Sequence, residues 1–198
     1  MNAFILAAGL GTRLRPLTKK KPKPLIKVGR FAVLDYVIAN LTRNEIFDIG
    51  INLHYMPLQM IEHTASLMTY FPEVKLLGTA GALKKAEEFL SDPFVVVNAD
   101  TITNVDIEDM YCSHKNSGKL ITVFTHKDAI RSGGTYIMQK EVLRYIPQRL
   151  YSIHEDLIPK LLRKNQVNLY TSDAFYFDIG TPQGLKRARN HFYESRSM

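Results

Sequence analysis

The amino-acid sequence predicts an α/β fold, a three-layer sandwich in which helices cover both faces of a mostly parallel central sheet. Short apolar runs alternate with amphipathic segments of helical length along most of the chain, and this alternation is typical of βαβ units. The 198 residues, 45% of them hydrophobic, are enough for one substantial core. We therefore expect one domain over residues 1–198, with ligands bound at the carboxyl ends of the strands.

The first half of the chain alternates regularly between strand and helix patterns. Residues 2–7 are an apolar run that ends before a glycine-rich stretch, which is typical of a buried strand leading into a loop. Residues 33–43 place Leu34, Val37 and Leu41 on one face at helical spacing. Further strands are predicted at 48–53, 74–77 and 94–97, and further helices at 58–68, 82–90 and 107–114.

The second half continues the alternation with shorter elements. Strands are predicted at 120–124, 136–139, 168–171 and 175–177, and a helix is predicted at 155–164. Thr181 can cap the free amides of a last helix, and Pro182 is tolerated in its first turn. This helix is predicted to run to about residue 193.

The charge of the chain favours an anionic partner. Lys and Arg number 26 against 19 Asp and Glu, which gives a formal charge of +7. Much of the excess lies between Arg13 and Arg30, where the aromatic residues that nucleic-acid binders intersperse are missing until Phe31. We therefore expect a nucleotide or sugar phosphate rather than nucleic acid, and we interpret residues 19–21, three consecutive lysines, as solvated neighbours.

Two further observations concern the compartment and the cysteine chemistry. The apolar run at residues 4–8 is too short for a membrane span or a signal-peptide core, and no later run is a better candidate. The single cysteine, Cys112, lacks the spacing of a zinc site and is given no role. We expect a cytoplasmic protein without a membrane partner.

The loop after the first predicted strand, GLGTRL at residues 9–14, is interpreted as a phosphate loop. A dinucleotide fingerprint requires a third glycine where Leu14 stands, and no Walker triplet follows. Glycine lets backbone amides approach phosphate oxygens, and Arg13 adds a charged donor. Lys23 lies between two prolines that fix the local backbone, so its amine can be aimed at a ligand.

Two aspartates follow predicted strands far apart in the sequence. Asp100 ends the run VVVNAD, and Asp178 lies in FDIGTP. If both strand ends lie at one edge of the sheet, the carboxylates can converge to hold Mg²⁺ beside the phosphates. A further stretch, LGTAGAL at residues 77–83, is interpreted as a loop of small residues against which a flat base can lie.

These motifs together resemble the signature of the sugar-1-phosphate nucleotidylyltransferases. LAAGLGTRLRPLT with PKPL carries the resemblance, and LGTAGAL, VVVNAD and FDIGTP follow in the family's order. The LGTAGAL form is most similar to members that use GTP with mannose 1-phosphate or heptose 1-phosphate. The resemblance implies a Rossmann-like fold of the nucleotide-diphospho-sugar transferase type. It also implies a Mg²⁺-dependent reaction of nucleoside triphosphate with sugar 1-phosphate that gives nucleotide-sugar and pyrophosphate.

The resemblance also assigns roles to residues. It implies that Arg13 grips the departing phosphates, that Lys23 holds the α-phosphate or the sugar phosphate, and that Asp100 and Asp178 bind Mg²⁺. The nucleotide-binding part is expected over about 1–115 and a shortened sugar-binding part over about 116–198. The other nucleotide-binding residues implied are Ala8, Gly9, Gly11, Thr12, Thr79 and Gly81, with Ala8 and Gly81 against the base. The sugar-binding residues implied are Gly134, His154 and Glu155.

The sugar-binding part departs from the family pattern. Residues 126–131 replace a longer excursion that carries a lysine in the family, and Lys127, Arg131 or His154 can take its place. Ser132 stands where the family often has asparagine. His154 stands where the family has glutamate, and the nearest glutamate is shifted by one residue.

Three alternatives stay open at this point. The same chemistry with UTP and an amino sugar phosphate is one, because backbone groups read the base. A regulatory paralogue that binds nucleotide-sugar without turnover is another, although Arg13, Lys23, Asp100 and Asp178 are all present. A nucleic-acid module would bind with steep salt dependence and without Mg²⁺.

Overall fold

Strands and helices alternate along the chain much as the sequence predicts. The computed structural model describes residues 1–127 and 132–194. Its strands are β1 (Ala3–Leu6), β2 (Lys27–Val28), β3 (Phe31–Ala32), β4 (Ile49–Leu53), β5 (Thr69–Pro72), β6 (Phe94–Asn98), β7 (Thr101–Thr103), β8 (Ile121–His126), β9 (Ser132–Met138), β10 (Val167–Ser172) and β11 (Tyr176–Asp178). Its α-helices are α1 (Val33–Arg43), α2 (Pro57–His63), α3 (Gly78–Lys85), α4 (Ile107–Ser117), α5 (Ile158–Leu162) and α6 (Pro182–Glu194).

A seven-stranded sheet with the order β10, β8, β9, β6, β1, β4, β5 forms the centre of the fold. Neighbouring strands are parallel except at β9, which runs antiparallel to both β6 and β8. Ala3 of β1 pairs with Ile49 on one side and with Val95 on the other. The predicted α/β class with a mostly parallel central sheet is confirmed.

Two apolar layers cover the faces of this sheet because neighbouring side chains of a strand point to opposite sides. Ile5 belongs to a buried cluster that includes Leu34 of α1 and Met110 of α4. Phe4 belongs to another, with Leu83 of α3 and Leu161 of α5. The result is the predicted three-layer sandwich. Within the described ranges, no helix is long and apolar enough to cross a bilayer.

A third cluster ties the C-terminal helix to the N-terminal loop. Leu185 of α6 is buried with Leu14 and Ile179. In the same region, β11 pairs antiparallel with β7, so that Asp178 lies opposite Thr101. The backbone of Ile179 also donates a 3.0 Å hydrogen bond to the Asp100 carbonyl. This pairing brings the two aspartates of the sequence analysis to the same edge of the molecule.

The predicted strand at 74–77 is wrong. The strand of this region is β5, which ends at Pro72, and Val74 is 92% exposed. The apolar residues of this stretch follow the end of β5 and lead directly into α3. Residues 74–77 therefore form a surface segment beside the cavity described below.

The stretch LGTAGAL forms the helix α3 and is not the loop that the sequence suggested. Gly78 has φ +75°, which lets the chain turn directly into the helix, and an added Cβ there would lie 2.5 Å from the Tyr151 carbonyl oxygen. The amides of Ala80 and Gly81 donate to that carbonyl. The small residues therefore allow the helix N-terminus to pack closely on another segment. The helix predicted at 82–90 accordingly begins and ends earlier.

The helix predicted at 155–164 divides into two pieces. Residues Ile153–Leu157 form a π-helix, and α5 follows it. Pro159 has no amide hydrogen to continue a regular ladder, which accounts for the interruption. The helix predicted at 58–68 is also shorter than expected, since α2 ends at His63.

Replacing Gly133 by alanine tests the packing of β9 against β8. An added Cβ would lie 2.1 Å from Cδ1 of the fully buried Phe124. We expect Gly133→Ala to lower the free energy of unfolding by roughly 1–3 kcal/mol through overpacking, measured by urea denaturation. Gly9→Ala is the control, because nothing lies within 4 Å of its added Cβ. Equal stability of the two variants would contradict this packing.

Candidate functional site

A cavity opens at the edge of the sheet where β1, β4 and β6 end, the position expected for a ligand site in a parallel sheet. Its volume is about 340 Å³. The residues that line it come from the ends of these strands, from the Lys23 segment and from the beginning of α3. They are Leu6, Ala7, Ala8, Gly9, Lys23, Pro24, Asn52, Glu73, Leu76, Gly78, Thr79, Asn98, Ala99, Asp100 and Leu150.

Lys23 and Asp100 form an ion pair at one wall of this cavity. The Lys23 Nζ atom contacts Oδ2 of Asp100, and their side chains are only 16% and 19% exposed. Pro22, in extended backbone, precedes a short 3-10 turn that begins at Lys23. The lysine is therefore aimed inward, whereas the three lysines at 19–21 are exposed, as the sequence analysis expects.

Arg13 and Asp178 meet Asp100 around the α-carbon of Gly180. A Cβ added to Gly180 would lie 2.8 Å from Oδ1 of Asp178, 3.1 Å from Nη2 of Arg13 and 3.4 Å from Oδ2 of Asp100. The amide of Gly180 donates a 2.6 Å hydrogen bond to the same Asp178 oxygen. Arg13 and the two carboxylates thus converge where Gly180 has no side chain, and Lys23 joins this group through its ion pair with Asp100.

The glycine loop packs behind these charges. Gly11 has φ +62°, and an added Cβ would lie 2.9 Å from the Thr18 side chain and 3.1 Å from Cβ of Lys23. Thr18 Oγ1 donates a 2.8 Å hydrogen bond to the Gly11 carbonyl. Gly9, Thr12 and Arg13 are exposed. The loop therefore offers its backbone and the Arg13 side chain to solvent beside the ion pair.

Asn52 and Glu73 form a buried polar wall that sequence reasoning missed. Asn52 Oδ1 accepts a 2.7 Å hydrogen bond from the Ala7 amide, and its Nδ2 donates to Glu73 Oε1 at 2.8 Å. Glu73 Oε2 accepts from the Leu77 amide at 3.0 Å. Both side chains are buried, with 4% and 6% exposure. The one sequence signal was an asparagine inside an otherwise apolar strand.

Some of the residues expected near the base line the cavity, and another supports its wall from behind. Ala8 and Thr79 line the cavity. Gly81 does not line it and instead supports the wall, since its added Cβ would lie 3.0 Å from the Arg149 carbonyl oxygen. Thr79 Oγ1 also accepts a 2.8 Å hydrogen bond from the Ile153 amide.

The residues expected to contact the sugar lie on β9 and in the π-helix Ile153–Leu157. Gly134, with φ +73°, sits against Asn98 and Thr101, where an added Cβ would come within 2.8 Å of Thr101 Oγ1. His154 is hydrogen-bonded to Tyr136 through Nε2 at 2.6 Å, and burial lowers the pKa of His154. Glu155 is exposed, and its amide donates to Ser152 Oγ.

Besides His154, Lys127 and Arg131 were considered as replacements for the missing lysine. Lys127 is exposed and lies 4.0 Å from Asp173. Arg131 lies outside the described residues.

The carboxylates fit a metal ion that is shared with a ligand. In the part of the chain that the structure describes, no group of three or more His, Cys, Asp or Glu side chains could hold an ion. Asp100 and Asp178 provide two hard oxygen donors, and Mg²⁺ is commonly held by one or two carboxylates together with substrate phosphates and water. This donor set is therefore suited to a metal–nucleotide complex.

Comparison with protein families matches residues 2–133 to the model described as "Nucleotidyl transferase". Mannose-1-phosphate guanyltransferase from Emericella nidulans is 30% identical over 92% of this chain and 62% of its own length. The enzyme of that name from Saccharomyces cerevisiae gives the same values. The chain thus spans 62% of the length of these curated relatives.

Solved structures show the same fold. A putative glucose-1-phosphate thymidylyltransferase from Bacillus anthracis, in complex with sucrose, superposes with a TM-score of 0.85 at 24% identity, covering 97% of this chain and 95% of that one. HddC from Yersinia pseudotuberculosis, complexed with GMP-PN, gives 0.81 at 22% identity, with 96% and 99% covered.

Glu73→Gln tests the buried polar wall through stability. Glu73 accepts hydrogen bonds through both of its carboxylate oxygens, whereas glutamine has only one oxygen. The NH₂ group of the glutamine would therefore face another donor, either Asn52 Nδ2 or the Leu77 amide. We expect the free energy of unfolding to fall by about 1–3 kcal/mol, measured by urea denaturation. Glu88→Gln at an exposed position is the matched control and should change it by less than about 0.5 kcal/mol. A stable Glu73→Gln variant would show that these two hydrogen bonds are not formed.

Proposed function

The chain belongs to the nucleotidyl transferase family, and from this premise we propose that it transfers a nucleotidyl group from a nucleoside triphosphate to a sugar 1-phosphate. The products are a nucleotide-sugar and pyrophosphate. The observation that carries the proposal is the convergence of Arg13, Asp100 and Asp178 around Gly180, with Lys23 paired to Asp100. Such a cluster of paired charges beside a cavity suits the transfer of a polyanionic group.

The two cations are proposed to hold different phosphates. Lys23 reaches the cavity wall from a fixed turn, so its amine is placed to bind the α-phosphate or the sugar phosphate. Arg13 extends from the exposed loop, where its planar guanidinium can grip the departing pyrophosphate. In this scheme the triphosphate takes over Lys23 from Asp100, which frees that carboxylate for the metal.

Members of this family generally use a divalent metal ion, and we propose Mg²⁺ held by Asp100 and Asp178. Bound there, the ion would neutralise charge on the phosphate oxygens. The chain's own contribution is to keep two carboxylates and two cations at fixed positions before the substrates arrive. Preorganised charges of this kind stabilise a transition state without a reorganisation cost.

Glu73 supports GTP as the nucleotide. A carboxylate only accepts hydrogen bonds, and each of its oxygens has lone pairs beyond those used by Asn52 and Leu77. Guanine presents adjacent N–H donors, including the N2 amine, whereas uracil has a single ring N–H donor. The relatives reported above are named as mannose-1-phosphate guanyltransferases, which supports mannose 1-phosphate, or the similar heptose 1-phosphate, as the acceptor.

The reaction requires no protein nucleophile. The oxygen of the sugar 1-phosphate is already ionised at neutral pH and attacks the α-phosphorus in line as pyrophosphate leaves. Catalysis then consists of positioning and charge stabilisation. The site residues are suited to both tasks, with cations at the phosphates and small residues, Ala8 and Gly9, beside the cavity.

The direct test is pyrophosphate release with each nucleoside triphosphate and a panel of sugar 1-phosphates, with and without Mg²⁺. We expect release with GTP and mannose or heptose 1-phosphate, and none without a divalent ion. Release only with UTP and an amino sugar phosphate would replace the substrates proposed here. Tight binding of nucleotide-sugar with no release for any pair would indicate a regulatory protein and overturn the proposed reaction.

Asp100→Asn and Asp178→Asn test the metal ligands. Each change keeps the shape of the side chain and removes its charge. We expect each to lower kcat by more than about 100-fold while the circular dichroism spectrum and the unfolding transition stay those of a folded protein. Full activity of either variant would exclude that aspartate as a metal ligand.

Lys23→Ala tests whether one lysine of the basic segment works in the reaction. We expect a loss in kcat/KM of about 100-fold or more, because the ion pair and its phosphate contact are both removed. Lys20→Ala and Lys21→Ala are matched controls at exposed positions of the same segment and should leave kcat/KM unchanged. Equal losses in all three variants would indicate a diffuse electrostatic effect instead.

A further inference from the structure

A second groove opens at the surface between the phosphate loop and α6. Its volume is about 490 Å³, against about 340 Å³ for the cavity at the strand ends, and the two share no lining residue. One wall of this α6 groove is the loop at residues 14–17, and the other is one face of α6 between Pro182 and Tyr193. The loop also carries Arg13, and the helix begins four residues after Asp178. The groove therefore adjoins the charged cluster from outside the main cavity.

The floor of the α6 groove is apolar. Leu14 and Leu185 line it, and both are buried in the same hydrophobic cluster. At its mouth, Leu17 and Tyr193 are 49% and 54% exposed. Apolar surface of this kind gains free energy when a ligand removes it from water. The groove is therefore suited to a ligand with an apolar part.

Three cations surround this apolar floor. Arg15 comes from the loop, and Lys186 and Arg189 lie on the same face of α6. No aspartate or glutamate is among the residues that line the groove. Within residues 1–127 and 132–194, the salt bridges between described side chains involve none of the three cations. This local excess of positive charge favours an anionic ligand.

Arg189 is held in place by a neutral group. Its Nε and Nη2 atoms both donate 3.3 Å hydrogen bonds to the Lys27 carbonyl oxygen. A carbonyl orients the guanidinium but has no formal negative charge, so the cation is positioned without being neutralised. The guanidinium keeps its remaining N–H donors, and such planar donors bind phosphate oxygens well.

The combination of these features indicates the chemical class of the ligand. Inorganic phosphate would pair with the cations and leave the apolar floor in water. An uncharged apolar molecule would cover the floor and leave the cations without a counter-charge. A groove of about 490 Å³ has the size of a small-molecule site. A small organic phosphate with an apolar body satisfies both the cations and the floor.

We propose that the α6 groove is a second ligand site and that it binds a phosphorylated small molecule with an apolar body. Arg15, Lys186 and Arg189 bind the phosphate group, and Leu17 and Tyr193 cover the apolar part. A ligand there connects the phosphate loop with α6. The inference goes beyond the proposed function and does not depend on it, because binding is measured without turnover.

Calorimetric titration with phenyl phosphate, without Mg²⁺, tests the site. This probe joins a phosphate group to an apolar ring, and inorganic phosphate and phenol represent its two halves. We expect phenyl phosphate to bind at least about tenfold more tightly than either half. No binding of phenyl phosphate, or equal affinity for phenyl phosphate and inorganic phosphate, would overturn the proposal.

Two neighbouring residues of α6 provide matched charge reversals. Lys186→Glu changes a residue that lines the groove, whereas Arg187→Glu makes the same change of charge at an exposed residue that does not line it. We expect Lys186→Glu to weaken phenyl phosphate binding by about tenfold or more. Arg187→Glu should change it by less than about twofold, because salt screens an exposed charge. Equal weakening in both variants would indicate general repulsion and overturn the site.

Two further titrations distinguish the other places and partners. Lys23→Ala removes the phosphate-binding lysine of the main cavity, and we expect phenyl phosphate binding to persist. Binding that is lost in Lys23→Ala and unchanged in Lys186→Glu would assign the probe to the main cavity and overturn the proposal. Hexaglutamate represents an acidic protein partner. Binding of hexaglutamate that Lys186→Glu weakens, with none of phenyl phosphate, would overturn the small-molecule ligand.

Discussion

The ion pair between Lys23 and Asp100 joins two segments that are 77 residues apart in the chain, and the geometry of the site depends on it. Both side chains are mostly shielded from water, so removing either partner would leave an uncompensated charge in a poorly solvated place. The pair lies at the junction of the glycine loop, the end of β6 and the cavity. In the proposed reaction the two residues separate. Lys23 then binds a phosphate, and Asp100 binds a metal ion. The pair therefore holds the site in the arrangement that the proposed substrates require.

The second constraint is the pairing of β11 with β7, which brings the C-terminal part of the chain to the phosphate loop. Asp178 lies opposite Thr101, and Gly180 provides the space in which Arg13 and both carboxylates meet. A side chain at Gly180 would occupy that space, so the glycine matters through its missing Cβ. The first and second halves of the chain consequently meet at the site itself and share one central sheet. The chain spans 62% of the length of its curated relatives, yet the charged cluster and the cavity are formed from its own residues.

Much of the fold was predictable because its elements carry local signals. The helix at 33–43 has an apolar face with regular spacing and was predicted with the bounds that α1 has. The convergence of Asp100 and Asp178 was expected from a rule on the ends of parallel strands, but in the structure it results from the antiparallel pairing of β11 with β7, outside the central sheet. The failures arose where tertiary contacts override local composition: residues 74–77 look like a strand but lie outside the sheet, and α3 begins at Gly78 because small residues pack on Tyr151. Asn52 and Glu73 were missed because their role depends on a contact between two strand ends. The hydrogen bond between Tyr136 and His154 likewise joins residues that no local sequence pattern connects.

The most direct measurement is a crystal structure of the chain with Mg²⁺ and a non-hydrolysable GTP analogue. We predict that Lys23 Nζ leaves Asp100 and contacts a phosphate oxygen, that Asp100 and Asp178 both coordinate the ion, and that guanine lies in the cavity beside Glu73. An intact ion pair between Lys23 and Asp100, with the nucleotide bound elsewhere on the surface, would contradict it.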